Sequence, residues 1–289
     1  MKILVTVKQV PDTSGKVAVN PDGTLDRASM QTIINPDDLN AVEAALSLKD
    51  ELGCKVVAFT MGPPPAEGML RELMAMGVDE GVLVTAREFG GSDTYATSQI
   101  IAAAIDTYGI EKDDIILAGR QAIDGDTAQV GPQVAEKLGL TQVTYAEEIL
   151  NVDKAAKKIT VKRHIDGGVE TVEAPLPIVI TVNGSAAPCR PRNAKLVQKY
   201  KRALGAQEKA AITKEGAELA YAGLYEKYPY LNITEWSVAD VNGDLAQCGL
   251  SGSPTKVKTI QNISFQAKES KTLTGSDKDV DCLLYTSPS

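Results

Sequence analysis

Histidine is almost missing from this 289-residue chain; His164 is the only one. Cysteine is scarce as well, with four residues at 54, 189, 248 and 282, no two close enough for a CxxC pair. A Cys/His zinc site, or a Ser-His-Asp or Cys-His catalytic system, needs more than this. His164 stands beside Ile165 at the end of a strand-like run and reads as a surface residue. Basic residues are outnumbered, 30 Lys and Arg against 38 Asp and Glu, for a formal net charge of −8. Non-specific nucleic-acid binding relies on basic surface, so nucleic acid is not an expected partner. Long apolar runs are missing too. None reaches the roughly 18 residues of a transmembrane helix, so no membrane insertion is expected. The opening MKILVTVKQVPD meets Asp12 before it can build a signal-peptide core. Scattered thiols fit a reducing cytoplasm.

What is present is a rhythm. Lys2 to Val7 is a β-branched apolar run, the pattern of a buried strand. Residues 8 to 34 are polar and turn-rich and read as a long functional loop. Asn35-Pro36-Asp37-Asp38 then starts a helix: Asn35 can cap, Pro36 suits the first position, and two acids complement the dipole. Leu39, Val42 and Leu46 supply its buried stripe to about Leu52. Strands over Lys55–Thr60, Gly81–Thr85, Asp114–Ala118 and Gln142–Tyr145 alternate with helices over Ala66–Met76, Asp93–Tyr108 and Thr127–Leu138. This alternation predicts an α/β fold, a doubly wound and mostly parallel sheet. Lys157–His164 and Val169–Glu173 flank Asp166-Gly167-Gly168 as an antiparallel hairpin, and Pro177–Val182 returns to the main sheet. Residues 190 to 202, RPRNAKLVQKYKR, hold six basic residues and no acid. Glu208–Tyr225 is helical in composition. The stretch 226–289 has few large apolar residues and predicts an extended segment that wraps a partner.

Ligands of such sheets sit beyond the carboxyl ends of the strands. Four segments converge there. The most informative runs from Gly119 through Arg120, Gln121, Ala122, Ile123, Asp124, Gly125, Asp126, Thr127, Ala128 and Gln129 to Val130. Gly119 and Gly125 let backbone approach a ligand, and a helix starting near Thr127 offers free N–H groups to a phosphate. An ordinary helix capped by Asp126 or Thr127 explains the same pattern. There is no P-loop and no GxGxxG. Thr6-Val7-Lys8 and Met61-Gly62 supply backbone groups for an adenine edge; Asn35 and Asp38 can reach a ribose. In FGGSDTYATS, Ser92 or Asp93 is the expected cap. Thr94 and Thr97 share a helix face, either exposed or turned to a ring system. The basic run is a solvated face or a docking surface for an acidic partner.

Taken together, VKQVPD, NPDDLNAVEAA, the MGP turn, GRQAIDGDTAQVGP and VKRHIDGGVETV…PIVIT resemble the small (beta) subunit of electron transfer flavoproteins, over residues 1 to about 265. The resemblance implies an adenine-nucleotide α-hydrolase-like fold and a heterodimer with a large (alpha) subunit that carries FAD. It implies structural AMP in ordinary members, held by Thr6, Asn35 to Asp38, Met61 and Gly119 to Val130. It also implies a dehydrogenase-docking loop over Pro191, Arg192, Asn193, Ala194, Lys195, Leu196, Val197, Gln198, Lys199 and Tyr200, with Leu196 as apolar anchor. DGDTAQVGP, FGGSDTYATS and Leu250–Thr255 look like the electron-bifurcating branch. There a second FAD replaces AMP, NADH is the donor, and electrons go to ferredoxin or flavodoxin and to an acyl-CoA dehydrogenase. The expected organisation is a nucleotide- or FAD-binding domain over 1–189, a recognition element over 190–203 and a partner-wrapping segment over 204–289. The end, from about 280, does not resemble the family's closing helix. No catalytic side chain and no metal ligand is expected of such an electron carrier. A free-standing ATP-binding module is the rival from another class. It is weakened by Arg120 being the only basic residue in 119–132.

Overall fold

The computed structural model describes residues 1–12, 32–214, 222–256, 274 and 276–280. The first half runs β1 (Lys2–Thr6), β2 (Gln9–Pro11), β3 (Thr32–Ile34), α1 (Pro36–Leu52), β4 (Lys55–Met61), α2 (Glu67–Met76), β5 (Glu80–Val84), α3 (Thr94–Tyr108), β6 (Ile115–Gly119) and α4 (Val130–Leu138). The second half runs β7 (Thr141–Asp153), β8 (Lys158–Ile165), β9 (Gly168–Pro175), β10 (Ile178–Val182), α5 (Ala194–Tyr200), α6 (Ala206–Lys214), α7 (Ala222–Lys227), β11 (Thr234–Trp236) and α8 (Gly249–Gly252). One sheet has the order β11-β5-β4-β1-β6-β10-β7-β8-β9. Every pairing from β11 to β7 is parallel, and β7, β8 and β9 pair antiparallel.

The central strands are apolar along their whole length because helices cover both faces. Every residue of β6 and of β10 is buried. Along β1, Ile3 and Val5 face a core shared with α1 and α2, while Leu4 faces a second core shared with α3 and α4. This is the doubly wound α/β fold expected, with its antiparallel hairpin turning at Asp166 and Gly167. From β1 the chain builds outward through β4 and β5, then crosses back to lay β6 on the other side of β1. The switch point, where the crevice of such a sheet takes its ligands, lies between the carboxyl ends of β1 and β6.

Three elements differ from expectation. α4 starts at Val130 rather than Thr127, because Asp126 and Ala128 have positive φ angles of 50° and 52°, which a helix cannot absorb. β7 runs for 13 residues instead of four. Tyr145, at φ 58°, interrupts its parallel pairing with β10 and redirects it into the hairpin. The described part of the C-terminal region folds back on this chain. β11 adds a strand beside β5, Trp236 lies 6.2 Å from the Phe59 ring, and Val241 and Cys248 are buried in the second core. A few well-spaced apolar residues suffice when an existing core receives them. Most of the 8–34 loop, part of the Glu208–Tyr225 helix and most of the chain after 256 lie outside the described residues. Among those described, no helix is long and apolar enough to cross a membrane.

Candidate functional site

The crevice is built by side chains that tie its two lips together from below. Asn35 is fully buried at the head of α1. It makes no cap; its Nδ2 donates to the Gln121 carbonyl (2.8 Å) and its Oδ1 accepts from the Ile123 amide (3.1 Å). Asp38 is buried one turn on. Its Oδ2 accepts from the Lys8 amide (2.7 Å) and its Oδ1 from the Gly119 amide (3.0 Å). Burial pushes the Asp38 carboxyl up to about 7, against the pull of those amides and of Asn35. These two side chains fix the chain leaving β1 and the chain leaving β6. Turned inward, they are not free to meet a ribose, as the sequence suggested. Nor does Gly119 make room for a ligand. A Cβ there would lie 2.3 Å from Asp38 Oδ1, so the close approach belongs to α1.

Above this layer the charges pair across the mouth. Lys8 Nζ meets both oxygens of Asp124 at 2.7 Å, and Arg120 Nε meets Asp37 Oδ2 at 3.2 Å. Gln121 Nε2 donates to Asp126 Oδ1 at 2.9 Å. Asp124, Gly125, Asp126, Thr127 and Gln129 are exposed. Gln129 heads α4 without a side-chain cap, and no acid occupies the first turn. Of the first turn of α4 only Val130 and Gly131 offer N–H groups without a partner in the helix, since Pro132 has none and the Gln133 amide bonds Gln129 O; they follow a loop that carries the strained Asp126 and Ala128. A phosphoryl group fits that donor set, through hydrogen bonds and the dipole of a nine-residue helix.

The other predicted residues fall around this centre. Thr6 ends β1 with its hydroxyl 3.5 Å from the Leu117 carbonyl, and the Val7 amide donates to Phe59 O (2.8 Å). Met61 ends β4, and the Gly62 amide donates to Val84 O. Pro36 is exposed at the first position of α1. Ala122 accepts from the Gly125 and Asp126 amides, closing the turn of the loop. On the far side, Thr94 Oγ1 donates to Gln129 Oε1 (2.9 Å), so the head of α3 joins the mouth. Thr97, one turn on, is half-buried. Asp93 caps α3 through the Ala96 amide, as the sequence suggested. Residues 248–255 dock on this same head, a contact that no local pattern announces. His164 is an exposed side chain, 3.4 Å from Glu147.

Residues 191–200 lie apart from the crevice. α5 rests on α2, with the Asn193 amide bonded to Ala75 O at 2.8 Å. Its inward face, one turn apart, is Leu196 and Tyr200. Leu196 is therefore half-buried against this chain's own core rather than an outward anchor, and Val197 is the apolar side chain left exposed. The basic run is partly neutralised: Arg190 pairs with Glu43 (2.8 Å) and Asp50 (2.7 Å) on α1.

Comparison with known proteins gives this geometry a lineage. The electron transfer flavoprotein domain matches residues 22–218. The chain is 44% identical over 259 residues to the electron transfer flavoprotein subunit beta of Clostridium acetobutylicum, covering 89% of this chain and 86% of that one. It is 42% identical over 259 residues to the caffeyl-CoA reductase-Etf complex subunit CarD of Acetobacterium woodii, with the same coverage of 89% and 86%. It is 65% identical over 181 residues to the acryloyl-CoA reductase electron transfer subunit gamma of Anaerotignum propionicum, covering 63% of this chain and 67% of that one. The chain thus belongs to the electron transfer flavoprotein family, as a beta (small) subunit serving electron transport.

Proposed function

We propose that the crevice between β1 and β6 holds the adenylate end of FAD, and that the chain works as the small subunit of an electron-bifurcating heterodimer. The uncapped head of α4, with exposed residues 124–127 before it, carries this reading. Asn35 and Asp38 hold the loops in shape beneath, and the amides that follow them meet the phosphates. The head of α3, with Thr94 and Thr97, flanks the space into which the rest of a dinucleotide extends. Bound flavin supplies hydride acceptance from NADH and electron transfer toward ferredoxin or flavodoxin and, by way of the large subunit's FAD, toward an acyl-CoA dehydrogenase. No side chain of this chain acts as acid or base in that scheme. Relatives named for caffeyl-CoA and acryloyl-CoA reductase complexes support a dehydrogenase of the acyl-CoA class as partner. Free Cys54, Cys189 and Cys248 support a reducing, cytoplasmic setting.

The test is extraction of nucleotides from the purified heterodimer. Two FAD and no AMP per heterodimer are expected, with flavin absorbance bleached by NADH. One FAD and one AMP would make this the ordinary, AMP-holding carrier. Docking on the dehydrogenase is assigned to α5 through Val197. Val197→Asp is expected to slow electron exchange with the dehydrogenase at unchanged thermal stability. Leu196→Ala is expected to cost about 1–2 kcal/mol by opening a partial cavity under α5. Normal exchange in Val197→Asp would move the docking surface elsewhere.

A further inference from the structure

The head of α3 is held by more than its own cap. Asp93 Oδ1 accepts from the Ala96 amide, while Oδ2 accepts from both the Thr255 amide (2.9 Å) and the Thr255 hydroxyl (2.7 Å). The Asp93 amide donates to Ser253 Oγ (2.8 Å), and that buried hydroxyl donates to Gly249 O (2.6 Å). Ser92 Oγ accepts from the Gly249 amide at 3.1 Å. The packing is as close as the bonding. A Cβ on Gly249, at φ 60°, would lie 2.2 Å from Glu88 O. These residues lie some 160 positions apart in sequence, yet four backbone or side-chain groups of 249–255 close onto two adjacent residues. The next residue is Thr94, which bonds Gln129 at the crevice mouth.

We propose that Asp93 is a positioning residue that makes the site select a dinucleotide over a mononucleotide. Through it, residues 249–255 set the head of α3 against the outer half of the crevice. The inference rests on the FAD reading above. The adenylate half is held by loops that Asn35 and Asp38 fix, none of which Asp93 touches. The wall of the outer half is set by where α3 begins, and its buried hydroxyl, Ser253 Oγ, holds the Asp93 backbone and leaves the side chain to tie the turn. Asp93 carries both contacts that matter there: one oxygen orders the first turn of α3, the other ties that turn to residues 249–255. Asn at 93 keeps one acceptor and turns an N–H₂ toward the Thr255 N–H, which breaks the tie without removing the cap. Thr255→Val removes only the hydroxyl contact.

The experiment titrates the heterodimer, with its small-subunit nucleotide exchanged out, separately with FAD and with AMP. Hydrogen exchange of 249–255 is followed in parallel. Asp93→Asn is expected to weaken FAD about tenfold, as loss of hydrogen bonds to a charged group implies, and AMP less than twofold, with faster exchange across 249–255. Thr255→Val is expected to weaken FAD about threefold with AMP unchanged. Equal losses for both nucleotides would reduce Asp93 to a structural residue and overturn the proposal. So would unchanged FAD affinity, or a FAD loss without faster exchange. A parent heterodimer that takes AMP but refuses FAD would remove the FAD reading and this inference together. A failure confined to the variants would remove only the inference.

Discussion

The two walls of the crevice are held in different ways. The wall formed by β1, α1 and β6 is fixed by Asn35 and Asp38, buried side chains with every polar contact made inside the protein. The wall formed by α3 and the head of α4 relies on exposed side-chain bonds, Thr94 to Gln129 and Asp93 to Thr255, with the buried Ser253 hydroxyl on the Asp93 amide beside them. A buried polar group left without its partner costs about 1–3 kcal/mol, whereas a typical hydrogen bond whose partners can turn to water instead contributes about 0.5–1.5 kcal/mol net. The inner wall therefore has its shape before any ligand arrives, and the outer wall is open to adjustment. This suits the site proposed above, whose adenylate end would be common to AMP and FAD and whose far end would not.

The sharpest way to break this contrast is to titrate the inner wall. Burial, the largest influence, raises the Asp38 carboxyl from the ordinary 3.8 to about 7. Asp37 adds to the rise, while the Lys8 and Gly119 amides and Asn35 oppose it. Between those two values the folded protein holds a proton that the unfolded chain has released. Its stability therefore falls as pH rises from about 4 to about 7, and is flat above. The drop relative to Asp38→Asn, which cannot ionise, is expected to be about 3–4 kcal/mol. Urea midpoints of the two proteins across that range measure it. Parallel curves would mean that Asp38 is solvated, and the inner wall as loose as the outer.

Next comes Gly119→Ala. The added Cβ would meet Asp38 Oδ1 at 2.3 Å and the backbone of Asp37 and Asp38 at 2.6 Å. Backbone at the head of a 17-residue helix cannot step aside cheaply, so a loss of about 3 kcal/mol is expected, with nucleotide content reduced. Parent-like denaturation would show that α1 slides on the sheet. Asn35→Ala follows at about 1–3 kcal/mol, because the Gln121 carbonyl and the Ile123 amide lose their partner. Asn35→Asp keeps the acceptor for Ile123 and loses the donor to Gln121, so it should fall between the two.

These residues also mark how far the sequence could be read. The sheet was legible because β1, β6 and β10 are short apolar runs between helices with clear apolar stripes. The crevice was legible because such a sheet has one switch point, and 119–130 stands at it. The roles within it were not. Asn-Pro-Asp-Asp reads as a cap because local pattern favours that. The structure turns Asn35 and Asp38 toward loops more than 80 positions away, and no local rule encodes that choice. α4 began three residues late for a similar reason: nothing in Asp126-Thr127-Ala128 announces two left-handed residues that are not glycine. Leu196 looked like an outward knob until the packing of α5 on α2 decided which face turned inward. The contact of Asp93 with Thr255 spans 162 positions. It became visible only once the C-terminal region was seen to fold onto its own chain.

The smallest expected effect lies where the two walls share a surface. Lys8 Nζ, half exposed at 50%, meets Asp124 across the mouth, linking the chain after β1 to the loop after β6. The lysine end of the pair lies in solvent and the Asp124 side chain is 18% exposed, so Asp124→Asn should cost about 1 kcal/mol, and less as salt rises. Its influence on binding should be of the opposite sign. The carboxylate holds a lysine that would otherwise be free to meet an anion, and adds its own negative charge beside the head of α4. Neutralising it should tighten the grip on either nucleotide by a few-fold at low salt, an advantage that fades toward 0.5 M salt as the Debye length shrinks to about 4 Å. Competition titrations of the Asp124→Asn heterodimer with FAD and AMP at two salt concentrations read this directly. Weaker binding of both nucleotides would show that the ion pair is a strut of the inner wall rather than a restraint on Lys8, and the boundary between the walls would move outward to include it.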